Sequence, residues 1–167
     1  MRVVDANIFL RYLTWDDAVK AEACAALLER VRKGLEVVAT DEAIITEVVY
    51  VLSSPRVYHL SHGDVRDRHA PIIKLRGLRL PGKRALLQAL DLYAQHSFLD
   101  FEDAVAVAHR RRLGVGDLLS YDMDFDRLME FRDGSMRRNE PWLLRFVIPP
   151  PPAARASCTV ITSGPWA

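Results

Sequence analysis

Cysteine is scarce in this chain. It has two among 167 residues, Cys24 and Cys158. They lie too far apart to suggest a disulfide framework, which suits a reducing compartment such as the cytoplasm. Long apolar runs are also missing: no stretch approaches the ~18 residues that a membrane-spanning helix requires. Asp5, Arg11, Asp16 and Asp17 interrupt any signal-peptide core near the N-terminus. Charge of one sign is lacking too. The formal net charge is +1, so no overall field advertises a nucleic acid or a membrane partner. The chain carries no P-loop, no G-x-G-x-x-G and no G-x-S-x-G, which removes the phosphate-binding and nucleophile-elbow chemistries those motifs mark. It is 50% hydrophobic, enough for one domain with a real core.

What is present is an alternation of strand and helix patterns. Arg2–Asp5 reads as a short buried strand, and Asn7–Leu13 is apolar on a helical period. "DDAVKAEACAALLERVRKG" predicts a helix capped by Asp16 or Asp17 and stopped at Gly34. "LEVVAT" is strand-like, and "DEAIITEVVYVLSS" is a helix that Pro55 ends. "GDVRDRHAPIIKLRG" predicts one or two short helices broken at Pro71, followed by a short strand at "LRL". "KRALLQALDLYAQH" and "FEDAVAVAHRRRLG" are helical, "DLLSYD" is a strand, and "DFDRLME" starts another helix. Such alternation implies an α/β fold with a mainly parallel sheet. From about Trp142 the pattern changes to a Pro-rich stretch through Pro149–Pro152 without amphipathic period. The expected organisation is a domain over 1–141 and an appendage over 142–167.

Four carboxylates stand in unusual places. Asp5 closes the first strand and Asp122 closes "LLSYD". Glu47 is set among Ile44, Ile45, Val48 and Val49, and Asp103 opens an Ala-Val-Ala-Val-Ala helix. Each has an ordinary explanation: a helix cap for Asp5, a turn or cap for Asp122, an outward-reaching helix residue for Glu47 and a dipole-complementing acid for Asp103. A parallel sheet, however, binds ligands beyond the C-terminal ends of its strands where strand order reverses. If the first strand is central and "LLSYD" lies beside it, all four acids face one hollow. Two carboxylates ~4 Å apart repel by ~4 kcal/mol at an effective dielectric near 20, so such a cluster needs protons or a cation. Oxygen ligands with no His or Cys set favour Mg²⁺ or Mn²⁺.

The stretches "VVDANIFLRYLT", "TDEAIITEVVYVLSS", "FEDAVAVAHRRRLG" and "LLSYDMDFDRL" resemble, in order and spacing, the PIN-domain nucleases, in particular the VapC-type ribonuclease toxins. The resemblance implies a three-layer α/β sandwich with about five strands and helices on both faces. It also implies a metal-dependent endoribonuclease, with Asp5, Glu47, Asp103 and Asp122 as catalytic metal ligands for Mg²⁺ or Mn²⁺. Asn7 then matches a polar helper of the first acid, Ser120 and Asp124 fall where the family carries a hydroxyl and a further acid, and Asp100 is a cap or outer acid. A positive surface for RNA would come from Arg11, from Arg110, Arg111 and Arg112, from Arg137–Arg138, or from the basic Arg56–Arg84 region. The family also implies a cognate antitoxin and a homodimer. The tail has no counterpart in it.

Other signals are weaker. "DMDFDR" begins like a calcium loop, but Arg127 stands where glycine is required and Asp133 where the last Glu belongs. His59 and His62 form a loop pair with no further ligands. A haloacid-dehalogenase-like phosphatase wants a second aspartate where this chain has Asn7. A housekeeping RNA-processing nuclease and a non-catalytic binding module are the remaining alternatives; the latter would lack one of the four acids.

Overall fold

The computed structural model describes residues 1–115, 118–120 and 122–128. The Pro-rich tail, Cys158, Arg137 and Arg138 lie outside the described residues, as do Asp117 and Tyr121 of "DLLSYD".

Helix starts are set by short polar side chains. After β1 (Arg2–Val3), Asp5 adopts an extended backbone and its carboxylate accepts from the Ile8 amide at 3.3 Å, opening α1 (Ala6–Thr14). Asp17 caps α2 (Ala18–Arg32) through the Lys20 amide at 3.2 Å. β2 (Val38–Ala39) leads to Asp41, which caps α3 (Glu42–Ser53) through the Ile44 amide at 3.0 Å. Ser61 opens α4 (His62–Ile73) by accepting from the Asp64 amide at 3.1 Å and donating to the Asp64 carboxylate at 2.6 Å. Each cap satisfies amide donors that the helix cannot, worth about 1 kcal/mol. β3 (Leu78–Arg79), α5 (Lys83–Gln95) and α6 (Phe101–Leu113) follow, then a single 3₁₀ turn at Asp124–Arg127.

Three parallel strands pair in the order β1-β2-β3, with Arg2 opposite Val38, Val3 opposite Ala39, and Val38 opposite Leu78. Two helices connect each consecutive pair of strands, as parallel crossovers require. Hydrogen bonds from the Val4 amide to Ala39 and from the Thr40 amide to Arg79 extend the sheet, and the Thr40 hydroxyl donates to the Val4 carbonyl at 3.2 Å. Gly77 is required before β3, because a Cβ there would lie 2.3 Å from the Glu36 carbonyl oxygen. The core runs from Phe9 through Ile45 and Leu52 to Ile73, Leu86, Leu90 and Leu99, all fully buried. Burying each of these side chains contributes about 1.5–3 kcal/mol.

Several expectations are corrected. β1 is not a buried strand: Arg2 and Val3 are exposed, Val3 at 77%, and burial begins only at Val4. It stands at one edge of the described sheet rather than at its centre, and no reversal of strand order occurs among the described strands. Pro71 does not break α4, which is continuous through it. The proline lies in the last turn, where a single amide bond is forgone, and buried Ile72 and Ile73 hold the turn in place. Leu118–Ser120 and Asp122 have no strand pairing, and "DFDR" forms the 3₁₀ turn rather than an α-helix. The described sheet therefore has three strands, short of the five implied.

Candidate active site

One concavity among the described residues is acidic. A cleft of about 380 Å³ lies between α3, α5 and the start of α6, with Asp122 closing it. Its walls are Val49, Tyr50 and Ser53 from α3, Tyr93 from α5, and Asp100, Glu102 and Asp103 from the beginning of α6. The apolar face of α6, through Phe101, Ala104, Val105 and Ala108, is buried. That packing holds Asp103, three residues past the cap position Asp100, half-buried at the cleft floor.

Asp122 is fixed by its own turn. The Ser120 hydroxyl accepts from the Asp122 amide at 3.0 Å, and the Asp122 carboxylate accepts from the Asp124 amide at 2.8 Å. Asp124 in turn accepts from Arg127 at 3.1 Å, and that guanidinium lies 3.6 Å from the centre of the Phe98 ring. Ser120 and Asp124 thus shape the turn that presents Asp122.

Burial pushes the Asp103 carboxyl up to about 6, and the negative charges of Asp122, Asp100, Glu102 and Asp124 push in the same direction. A carboxyl that resists ionisation beside other carboxylates is a place where a proton or a cation relieves the charge. The donors are all oxygen, which suits a hard divalent ion. Among the described residues, no group of three or more His, Cys, Asp or Glu is spaced to hold one metal ion. The chemistry of the donors fits such an ion, while a complete ligand set is not assembled among them.

The structure brings Asp103 and Asp122 together, with Asp100 beside them. Asp5 and Glu47 are exposed and do not line the cleft. Asp5 serves as the α1 cap, and Glu47 lies on the outer face of α3, opposite buried Ile45, Val48 and Val49. Asn7 is exposed in the first turn of α1. Asp100 takes the cap position of α6 without a side-chain cap bond.

The expected RNA-binding arginines are engaged locally. Arg11 donates to Asp16 at 2.5 Å, and Tyr58 donates to the same carboxylate at 2.8 Å. Arg110, Arg111 and Arg112 crowd the last turn of α6, away from Asp103 in its first, and Arg112 reaches His109 at 3.2 Å. His109 is itself paired with Glu42 at 2.7 Å. His62 stacks on Tyr93 with ring centres 3.6 Å apart, so that histidine is engaged in packing. Tyr50, Ser53, Tyr93 and Glu102 escaped the sequence reading. Only Glu102 carried a signal there, as a second acid in a first helical turn.

Residues 2–130 match the PIN domain family. The chain belongs to that family. PIN domains are generally Mg²⁺- or Mn²⁺-dependent nucleases, and the cleft of this PIN domain carries the oxygen-rich chemistry such hydrolases need. Comparison with curated proteins returned no match. No helix among the described residues is long and apolar enough to cross a membrane.

The second concavity differs in kind. It is an open groove of about 1060 Å³ between α1, α2 and α4, floored by Leu13, Leu28, Ile72 and Leu75 and bordered by Arg32, Arg68, Lys74 and Arg76. Trp15 lines it, 54% exposed, with a left-handed backbone at φ 55°. A bulky residue in that conformation costs roughly 1–3 kcal/mol.

Proposed function

We propose that this PIN domain is a metal-dependent endoribonuclease of the VapC type, the toxin of a type II toxin–antitoxin pair acting in the cytoplasm as a homodimer. The observation that carries the reading is the Asp103 carboxyl, pushed up to about 6 in a cleft it shares with Asp122. Asp103 and Asp122 would hold Mg²⁺ or Mn²⁺ in that cleft, and the family resemblance adds Asp5 and Glu47, which lie outside it. Bound there, the ion supplies Lewis acidity and a polarised water for in-line attack on an RNA phosphodiester. Asp103 lines the cleft that Asp122 closes, the Ser120 and Asp124 contacts hold Asp122 in place, and the family resemblance gives Asn7 the role of a helper to Asp5. In this reading the nuclease domain spans residues 1–141 and leaves 142–167 outside it.

The apolar groove supports a protein partner, because exposed apolar patches rimmed by polar groups are usual docking surfaces. Its cations Arg32, Arg68, Lys74 and Arg76 against one acid, Glu29, suit an antitoxin segment that combines apolar side chains with carboxylates. The test is RNA cleavage with purified protein in Mg²⁺, with and without the product of the neighbouring small gene. Cleavage that chelation abolishes and that this partner suppresses is expected. Cleavage indifferent to chelation, or to every neighbouring gene product, contradicts the reading.

A further inference from the structure

The described residues expose two aromatic rings strongly, Trp15 in the apolar groove and Tyr50 at the rim of the acidic cleft. Tyr50 is 68% exposed. Its helix buries Ile45, Val48, Val49 and Leu52, so the sequence had ample reason to place a polar residue on the outer face. It places a tyrosine there instead, three residues before Ser53, with which it lines the cleft. The ring is not engaged in an aromatic pair, and its hydroxyl has no partner among the described residues. Tyr93, the other tyrosine of the cleft, is by contrast buried and stacked on His62.

We infer that Tyr50 is a substrate-binding residue at the rim of the cleft, a stacking platform for an unpaired base next to the scissile phosphate. This rests on the nuclease reading above. A neutral ring adds nothing to the charge repulsion between the acidic cleft and RNA, and it offers a π-face that any base can cover. Base–aromatic stacking is sequence-tolerant, so Tyr50 selects for unpaired strands rather than for one sequence. Duplex bases are already stacked and cannot cover the ring without being splayed out.

The experiment is steady-state cleavage of an unstructured oligoribonucleotide, and of the same strand annealed to its complement, by the full chain in Mg²⁺. Wild type, Tyr50→Ala, Tyr50→Phe and Tyr50→Trp are compared. Tyr50→Ala should raise KM on the single strand by roughly 5- to 150-fold, the range that losing one stacked base implies. The Mg²⁺ concentration for half-maximal rate should stay fixed, and Phe or Trp should restore KM. Equal KM for Tyr50→Ala and wild type overturns the inference while leaving the nuclease reading intact. A Phe variant as poor as Ala also overturns it, since the hydroxyl would then be the contact. A wild-type protein that prefers the duplex does the same, and one that cleaves neither strand overturns both readings.

Discussion

The acidic cleft and the apolar groove are built from the same kind of helix and serve opposite physical ends. The cleft is small, gathers Asp100, Glu102, Asp103 and Asp122, and keeps one of those carboxyls hard to ionise. The groove is larger, floored by aliphatic side chains, bordered by cations, and holds its tryptophan in a strained left-handed turn. Neither is favourable to a chain standing alone. Crowded carboxylates raise the energy of the first, and exposed apolar surface together with backbone strain raises that of the second. On the proposed reading each is relieved by something else, a cation in one case and a partner in the other. A site that lowers stability but is kept in the fold points to function more sharply than a well-packed one does.

The largest effect should come from the cleft. Asp122→Asn should lower RNA cleavage by about 100-fold or more, since the ion's several kcal/mol of transition-state stabilisation depends on such a ligand. Partner binding should be untouched. If cleavage and partner binding fall together, the two sites are not separate.

Trp15→Gly should do the reverse. An aromatic anchor in a docking groove is worth about 2 kcal/mol, so partner affinity should fall roughly 30-fold in a titration while cleavage stays at the wild-type rate. Glycine also takes the φ of 55° without strain, and that relief of about 1–2 kcal/mol offsets the removal of a half-exposed ring, so the melting temperature should move little. A sharp drop in melting temperature would recast Trp15 as core.

A smaller effect separates cleft from core by pH. His69 is fully buried against Phe9, neither ring nitrogen has a hydrogen-bond partner, and burial pulls its pKa down to about 4. Its folded pKa is below the unfolded one, so the unfolded chain binds the proton first and stability falls as pH drops from about 6.5 towards 4. Asp103 has the opposite sign. Its folded pKa of about 6 lies above the unfolded value of 3.8, so the native state takes the proton first and stability rises as pH falls through that window. Urea midpoints between pH 4 and 7 should therefore fall less with acidification in His69→Leu than in wild type, and more in Asp103→Asn. Parallel curves for all three would contradict both assignments.

These contrasts also explain what the sequence disclosed. The extents of α1, α2, α3, α5 and α6 were legible because apolar period and terminal signals agree along each stretch. The continuity of α4 was not, because the cost of Pro71 depends on its falling in the last turn with Ile72 and Ile73 buried around it. β1 misled for a related reason: Val3 reads as core by composition, but only its place at the sheet edge leaves it exposed. Asp103 and Asp122 could be singled out because acids beside apolar runs are conspicuous. That they meet across the cleft, while Asp5 caps α1 and Glu47 faces outward, is a matter of three-dimensional placement that spacing does not encode. Tyr50 left no trace, since one aromatic on the outer face of a helix breaks no pattern.

The most direct test of the cleft as a metal-binding catalytic site is the melting temperature of Asp103→Asn with and without Mg²⁺, with Asp100→Asn as the control. Wild type should melt higher when Mg²⁺ is added, because an ion that binds only the folded state stabilises it by mass action. Asp103→Asn should lose that increment along with RNA cleavage. Without Mg²⁺ at pH 7 it should melt no lower than wild type, since a carboxylate crowded by Asp122 and Asp100 has been neutralised. Asp100→Asn should keep the increment, because asparagine serves well at a cap position. An Asp103→Asn protein that still gains stability from Mg²⁺, still cleaves RNA, and melts lower without the ion would show an acid that merely complements a helix start, and would contradict the account.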